Sequence, residues 1–258
     1  MTTDGPINDP FIRTLTERLE SDPDVVGLVL AGSSAETTRR DQWSDHDFLL
    51  ITQDGTPERY RTDLHWLPDA DTIGWWFRET AHGLKVLYRT GLLLEFAVFD
   101  RAEFASCALN HYAVVIDRGG IAEAAAIVRE RSMTPRIVND GNEFRNFLSL
   151  LYIATGRARR GELLSANVLV RSYAVDHLLW LARAFLSDTE RAPLDELDVW
   201  RRFETADAAL AAAIDRALAQ PVESAARALL DIADHHVAAK WPEYPHEDAD
   251  LVRSLLGW

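Results

Sequence analysis

Apolar residues recur along this chain with two different periods, and the change from one to the other falls near residue 120. Phe11, Ile12, Leu15 and Leu19 share the spacing of one helix face, which predicts an amphipathic first helix over Pro10 to Leu19. Short runs follow. Val25 to Ala31 (VVGLVLA), bounded by Pro23 and Gly32, reads as a buried strand, and Asp47 to Thr52 (DFLLIT) as a second. A helix is expected over Arg59 to Trp66, a strand over Ile73 to Arg78, and a hairpin from Leu84–Tyr88 and Leu92–Phe99 around Arg89-Thr90-Gly91. A short helix over Ala102 to Ala108 and a strand over Ala113 to Ile116 complete this part, and Asp117-Arg118-Gly119-Gly120 breaks it.

From Ile121 onward the period is helical. Phe144, Phe147, Leu148, Leu151 and Tyr152 mark one helix, which the arginines between Gly156 and Gly161 end. A second is expected from Glu162 to Phe185, then Val199–Ala219 and Val222–Lys240, parted by Pro221, and a last short one over Ala249–Leu256. The expected fold is therefore an α/β (α+β) mixed-sheet domain over residues 1–120 followed by an all-α helical bundle over 121–258.

Candidate chemistry sits where the first two strands begin and end. Gly32-Ser33 ends an apolar run, where a glycine lets the backbone approach a ligand, and Ser34-Ala35-Glu36 reads as a helix start whose N–H groups suit phosphate. The bland alternative is a plain turn with a serine cap. Asp45 and Asp47 lie two apart at the head of the second strand, so their side chains leave the same face. Their mutual repulsion calls for a cation, most simply magnesium carrying a nucleoside triphosphate. Glu95 is the single charged residue between Leu92 and Phe99; it is either a third metal ligand or the partner of Lys85 or Arg89 across the hairpin.

The order Gly-Ser, Asp-x-Asp between apolar flanks, then an isolated acid in a later strand resembles the nucleotidyltransferase superfamily of the polymerase-beta type. Small bacterial aminoglycoside and lincosamide adenylyltransferases look most similar, because a helical domain follows there too. The resemblance covers roughly residues 25–100. It implies that Asp45, Asp47 and Glu95 bind Mg²⁺ and act in catalysis, that Gly32 and Ser33 hold the donor's phosphates, and that ATP gives AMP to a hydroxyl of a small molecule. Glutamate at position 95 departs from the commoner aspartate. Some of these enzymes take a general base from the helical domain, which makes Glu162 a candidate; its other reading is an acid favourably placed at a helix N-terminus. A protein-adenylylating, antitoxin-type enzyme and a non-catalytic nucleotide-binding domain are the alternatives. The substantial helical half argues against the first, the retained acids against the second.

Lys85, Lys240, Arg39 and Arg40 are candidates for the triphosphate's counter-charge. Asp176 and His177 are candidates for lining an acceptor cleft, with a core histidine the blander reading of the latter. Trp75 and Trp76, adjacent in a strand, face opposite sides, so one can stack on a base or sugar while the other packs inside; packing of both in the core is the expectation preferred. His235, His236 and His246 make a poor zinc set, because adjacent helical side chains point about 100° apart. A net charge of −14 in 258 residues argues against a nucleic-acid partner and favours a cationic acceptor such as an aminoglycoside, although acidic proteins are common. The single cysteine, Cys107, fits a reducing compartment, and no stretch resembles a signal peptide or a membrane span, so a cytoplasmic protein is expected.

Overall fold

The computed structural model describes residues 9–35, 45–133, 139–195 and 197–258. The chain falls into two compact units, Met1–Thr134 and Pro135–Trp258. In the first, α1 (Pro10–Glu20) starts at Asp9, whose carboxylate accepts the N–H groups of Phe11 and Ile12, and it buries Ile12, Leu15 and Leu19. β1 (Val25–Ala31) runs into a 3₁₀ turn, Gly32–Ala35, and β2 (His46–Thr52) follows. Next come α2 (Pro57–Thr62), β3 (Ile73–Arg78), β4 (Gly83–Tyr88), β5 (Leu93–Phe99), α3 (Arg101–Phe104), β6 (Tyr112–Asp117) and α4 (Ile121–Ser132).

Among the described residues the sheet has six strands in the order β3-β4-β5-β2-β1-β6. β2 and β5 pair in parallel and every other pair is antiparallel, so the sheet is mixed, as the pattern predicts. After β2 the chain crosses to the outer edge as β3, then works inward through β4 to β5, which lands beside β2. Alternation gives the sheet two unlike faces. On one, Phe48, Leu50, Leu84, Val86, Leu94, Phe96 and Val98 pack with α1 and Tyr60, and the Phe48 and Phe96 rings stack at 4.7 Å. On the other, Val26, Val29, Ile51 and Phe99 are covered by Phe104, Leu109, Ile121, Ala125 and Val128.

That second cover moves the expected boundary. The helix beginning at Ile121 shares its period with the helical half, yet it packs on the sheet. Gly27 makes this possible: a Cβ there would lie 2.8 Å from the Ile121 side chain. Two other elements are shorter than expected. α2 ends at Thr62 because Asp63 is extended and its carboxylate takes the His65 N–H into a turn, and α3 is a single capped turn.

The second unit is helical. α5 (Asp140–Arg159) buries Phe144, Phe147, Leu148 and Leu151 against α6 (Leu163–Val168) and α7 (Val175–Ala184). A π-helical segment, Leu169–Ala174, joins α6 to α7. α8 (Asp188–Arg191), α9 (Phe203–Ala206), α10 (Ala208–Leu218), α11 (Val222–Ile232) and α12 (His246–Leu256) complete it. The single helix expected over Val199–Ala219 is broken at Asp207, which caps α10 by accepting the Leu210 N–H, and preceded by Arg202 at φ 65°. No helix among the described residues is long and apolar enough to cross a membrane.

Candidate functional site

Asp45 stands immediately before β2 and Asp47 is its second residue, while parallel pairing sets Asp47 directly beside Glu95 of β5. All three carboxylates therefore leave one face of the sheet. They are half-buried, and one oxygen from each lies within 4.8 Å of the others. His46, between the aspartates, points the opposite way: it is buried, its ring meets Phe11 edge-on at 5.3 Å, and Nε2 lies 3.4 Å from the Asp9 carboxylate.

The turn after β1 is built against these acids. Gly32 has φ 54°, a left-handed conformation that glycine alone adopts without cost, and a Cβ on it would sit 2.9 Å from Asp47 Oδ2. Ser33 is the next residue of the turn, and its side chain lies outside the described set. The residue that ties turn to strand is Ser34, which sequence reasoning passed over in favour of Ser33. Its buried Oγ accepts the Asp47 N–H at 2.9 Å. The described part of the turn, Gly32–Ala35, is 3₁₀, and the continuation of the helix start expected at Ser34-Ala35-Glu36 lies outside the described residues. Arg39 and Arg40 lie outside the described residues.

Lys85 faces Glu95 across the β4–β5 ladder and bridges two acids, Glu79 at 3.0 Å and Glu95 at 3.4 Å; hydrogen bonding to Glu79 and the charge of Glu95 raise its pKa. The cross-hairpin pair weighed for Glu95 thus forms, and Glu95 also joins the two aspartates. At an effective dielectric of about 20, two carboxylates at this separation repel by about 3 kcal/mol. Three hard oxygen donors, close together and partly exposed, fit a divalent cation. Two oxygens on opposite sides of a Mg²⁺ lie about 4.2 Å apart, a few tenths of an ångström closer than the outer limit here.

Other candidates stand in the second unit. Glu162 precedes α6 without capping it and pairs with Arg160 at 2.9 Å, a hydrogen bond that lowers its pKa and weakens it as a proton acceptor. Lys240 lies 3.4 Å from Asp207. Asp176 accepts the Trp200 indole N–H, and His177 Nδ1 is 2.5 Å from Glu143 Oε2, a partnered histidine of the blander kind.

The expectation for Trp75 and Trp76 is corrected. They are 48% and 43% exposed, and Phe77 beside them is 46% exposed. β3 is the outer strand of the sheet, so neither face of it is closed over.

No protein-family model matches the chain, and no curated protein does. A solved structure of a nucleotidyltransferase-like protein from Exiguobacterium sibiricum is similar, with 13% identity, 89% of this chain and 76% of that one covered, and a TM-score of 0.37.

Proposed function

We propose that this chain is a Mg²⁺-dependent nucleotidyltransferase that moves AMP from ATP to a hydroxyl of a small molecule. The observation that carries the reading is the convergence of Asp45, Asp47 and Glu95 on one sheet face, beside a turn whose Gly32 leaves no room for a side chain. Bound there, Mg²⁺ supplies charge neutralisation and orients the triphosphate. Asp45 and Asp47 would hold the ion from the start of β2 and Glu95 from β5, while Gly32 and Ser33 would present the turn's backbone to the β- and γ-phosphates. The acceptor oxygen forms a bond to the α-phosphorus as the bond to pyrophosphate breaks in line with it. The hydroxyl's proton passes to a carboxylate of the trio or to Glu162, the latter being the weaker base because of Arg160. ATP as donor and an antibiotic-like acceptor follow from the sequence resemblance.

The test is pyrophosphate release with Mg²⁺, each nucleoside triphosphate and a panel of aminoglycosides, lincosamides and polyols, with Asp47→Asn alongside. Release that needs Mg²⁺, an acceptor and Asp47 supports the proposal. Release only with a partner protein favours the protein-adenylylating alternative, and tight triphosphate binding without turnover overturns catalysis.

A further inference from the structure

Trp75 and Phe77 of β3 and the three carboxylates belong to one face of the sheet, while Trp76 faces the other way. Cross-strand register sets two parallel rows on this face. Phe77 opposes Lys85, Lys85 opposes Glu95 and Glu95 opposes Asp47. In the neighbouring row Trp75 opposes Leu87 and Leu87 opposes Leu93, and the register of His46 with Leu94 continues that row to Asp45. Part of this face, at Leu49, Ile51, Ala97 and Phe99, is covered by α3 and α4, but toward β4 and β3 Leu87 and Leu93 are half-buried and Trp75 and Phe77 exposed. The Trp75 and Phe77 rings lie 6.0 Å apart with their planes tilted by 36°, and together they make a broad apolar shelf. Lys85 is already bridged to Glu79 and Glu95.

In-line geometry decides which substrate such a strip serves. Gly32 follows β1, which borders β2 on the side away from β5. If that turn takes the β- and γ-phosphates, pyrophosphate departs toward β1 and the attacking hydroxyl arrives over β5. Continuing in that direction the sheet offers β4 and then β3. At a strand spacing of about 4.8 Å, the strip from Glu95 to the aromatics covers roughly 10 Å, the length of a molecule of one or two rings.

Resting on the nucleotidyltransferase reading, we infer that Leu93, Leu87, Trp75 and Phe77 form the acceptor subsite, and that the acceptor carries its hydroxyl on, or next to, a flat apolar ring. This class differs from the polycation that net charge alone suggests, because the strip recognises a ring face and its one lysine is engaged.

The inference is tested with 4-nitrophenyl β-glucoside as probe and methyl β-glucoside as control, which share sugar hydroxyls and differ in the aryl ring. Binding is followed in the full chain with Mg²⁺ and ATP present, by the indole N–H resonance of Trp75. The aryl glucoside is expected to shift that resonance and to bind about tenfold or more tightly than the methyl one. Trp75→Ala with Phe77→Ala is expected to abolish the difference, and Trp75→Phe, which keeps a ring, to restore most of it. An unmoved Trp75 resonance, equal binding of the two glucosides, or a Trp75 shown by light scattering and the double variant to be covered by a second copy of the chain overturns the subsite. Mg²⁺-dependent ATP binding, measured separately with Asp47→Asn, tells that failure apart from failure of the nucleotidyltransferase reading.

Discussion

One cluster in the sheet unit places its charged groups differently from the ion pairs of the helical unit. In the sheet unit Asp45, Asp47 and Glu95 are brought together by strand alternation and a parallel ladder, with like charges close to each other. In the helical unit acids sit beside bases: Glu162 with Arg160, Glu223 with Arg159, Asp231 with Arg253. Local pairing of that kind is worth roughly 0–1 kcal/mol at a surface and is easily satisfied. Clustered carboxylates cost stability, so they are the better marker of chemistry.

Four substitutions follow from this contrast, in order of expected effect. Asp47→Asn removes one of the clustered charges: pyrophosphate release is expected to fall about 10³-fold or more, while thermal unfolding shows a Tm that is unchanged or raised because repulsion is relieved. Gly32→Ala forces a side chain into a left-handed turn against Asp47, so chemical denaturation should show a loss of about 1–2 kcal/mol together with weaker ATP binding. Ser34→Ala deletes the acceptor of the Asp47 N–H and is expected to cost about 1 kcal/mol, with a loss of turnover near tenfold as β2 shifts against the turn. Glu162→Gln, in the paired unit, is expected to change turnover by less than about threefold; a drop of two orders of magnitude would return the general base to that residue.

What the sequence makes legible divides along the same physical line. Asp45 and Asp47 share a face because alternation is a local property of any strand, and the apolar flanks announce the strand. Glu95 stands out as one acid in an apolar run, but its pairing with Asp47 is a long-range register that local pattern does not contain; resemblance supplied it. Trp75 and Trp76 mislead because a strand's own composition does not say whether another strand lies beyond it, and β3 turns out to be the edge. The α4 helix misleads because amphipathic helices look alike whether they pack on a sheet or on one another; the missing Cβ of Gly27, where Ile121 enters, is the one local sign. Ser34 is indistinguishable from Ser33 until the backbone is traced. Asp207 interrupts the helix expected across it, since an aspartate able to cap a following N–H competes with helix continuation.

Whether Asp45, Asp47 and Glu95 grip one cation together is settled by titrating Mn²⁺, a spectroscopic substitute for Mg²⁺, into the protein with ATP present and counting bound ion by electron paramagnetic resonance. Asp45→Asn, Asp47→Asn and Glu95→Gln should each weaken binding by about tenfold or more. Equal Mn²⁺ affinity in the native chain and all three variants would contradict a shared metal site.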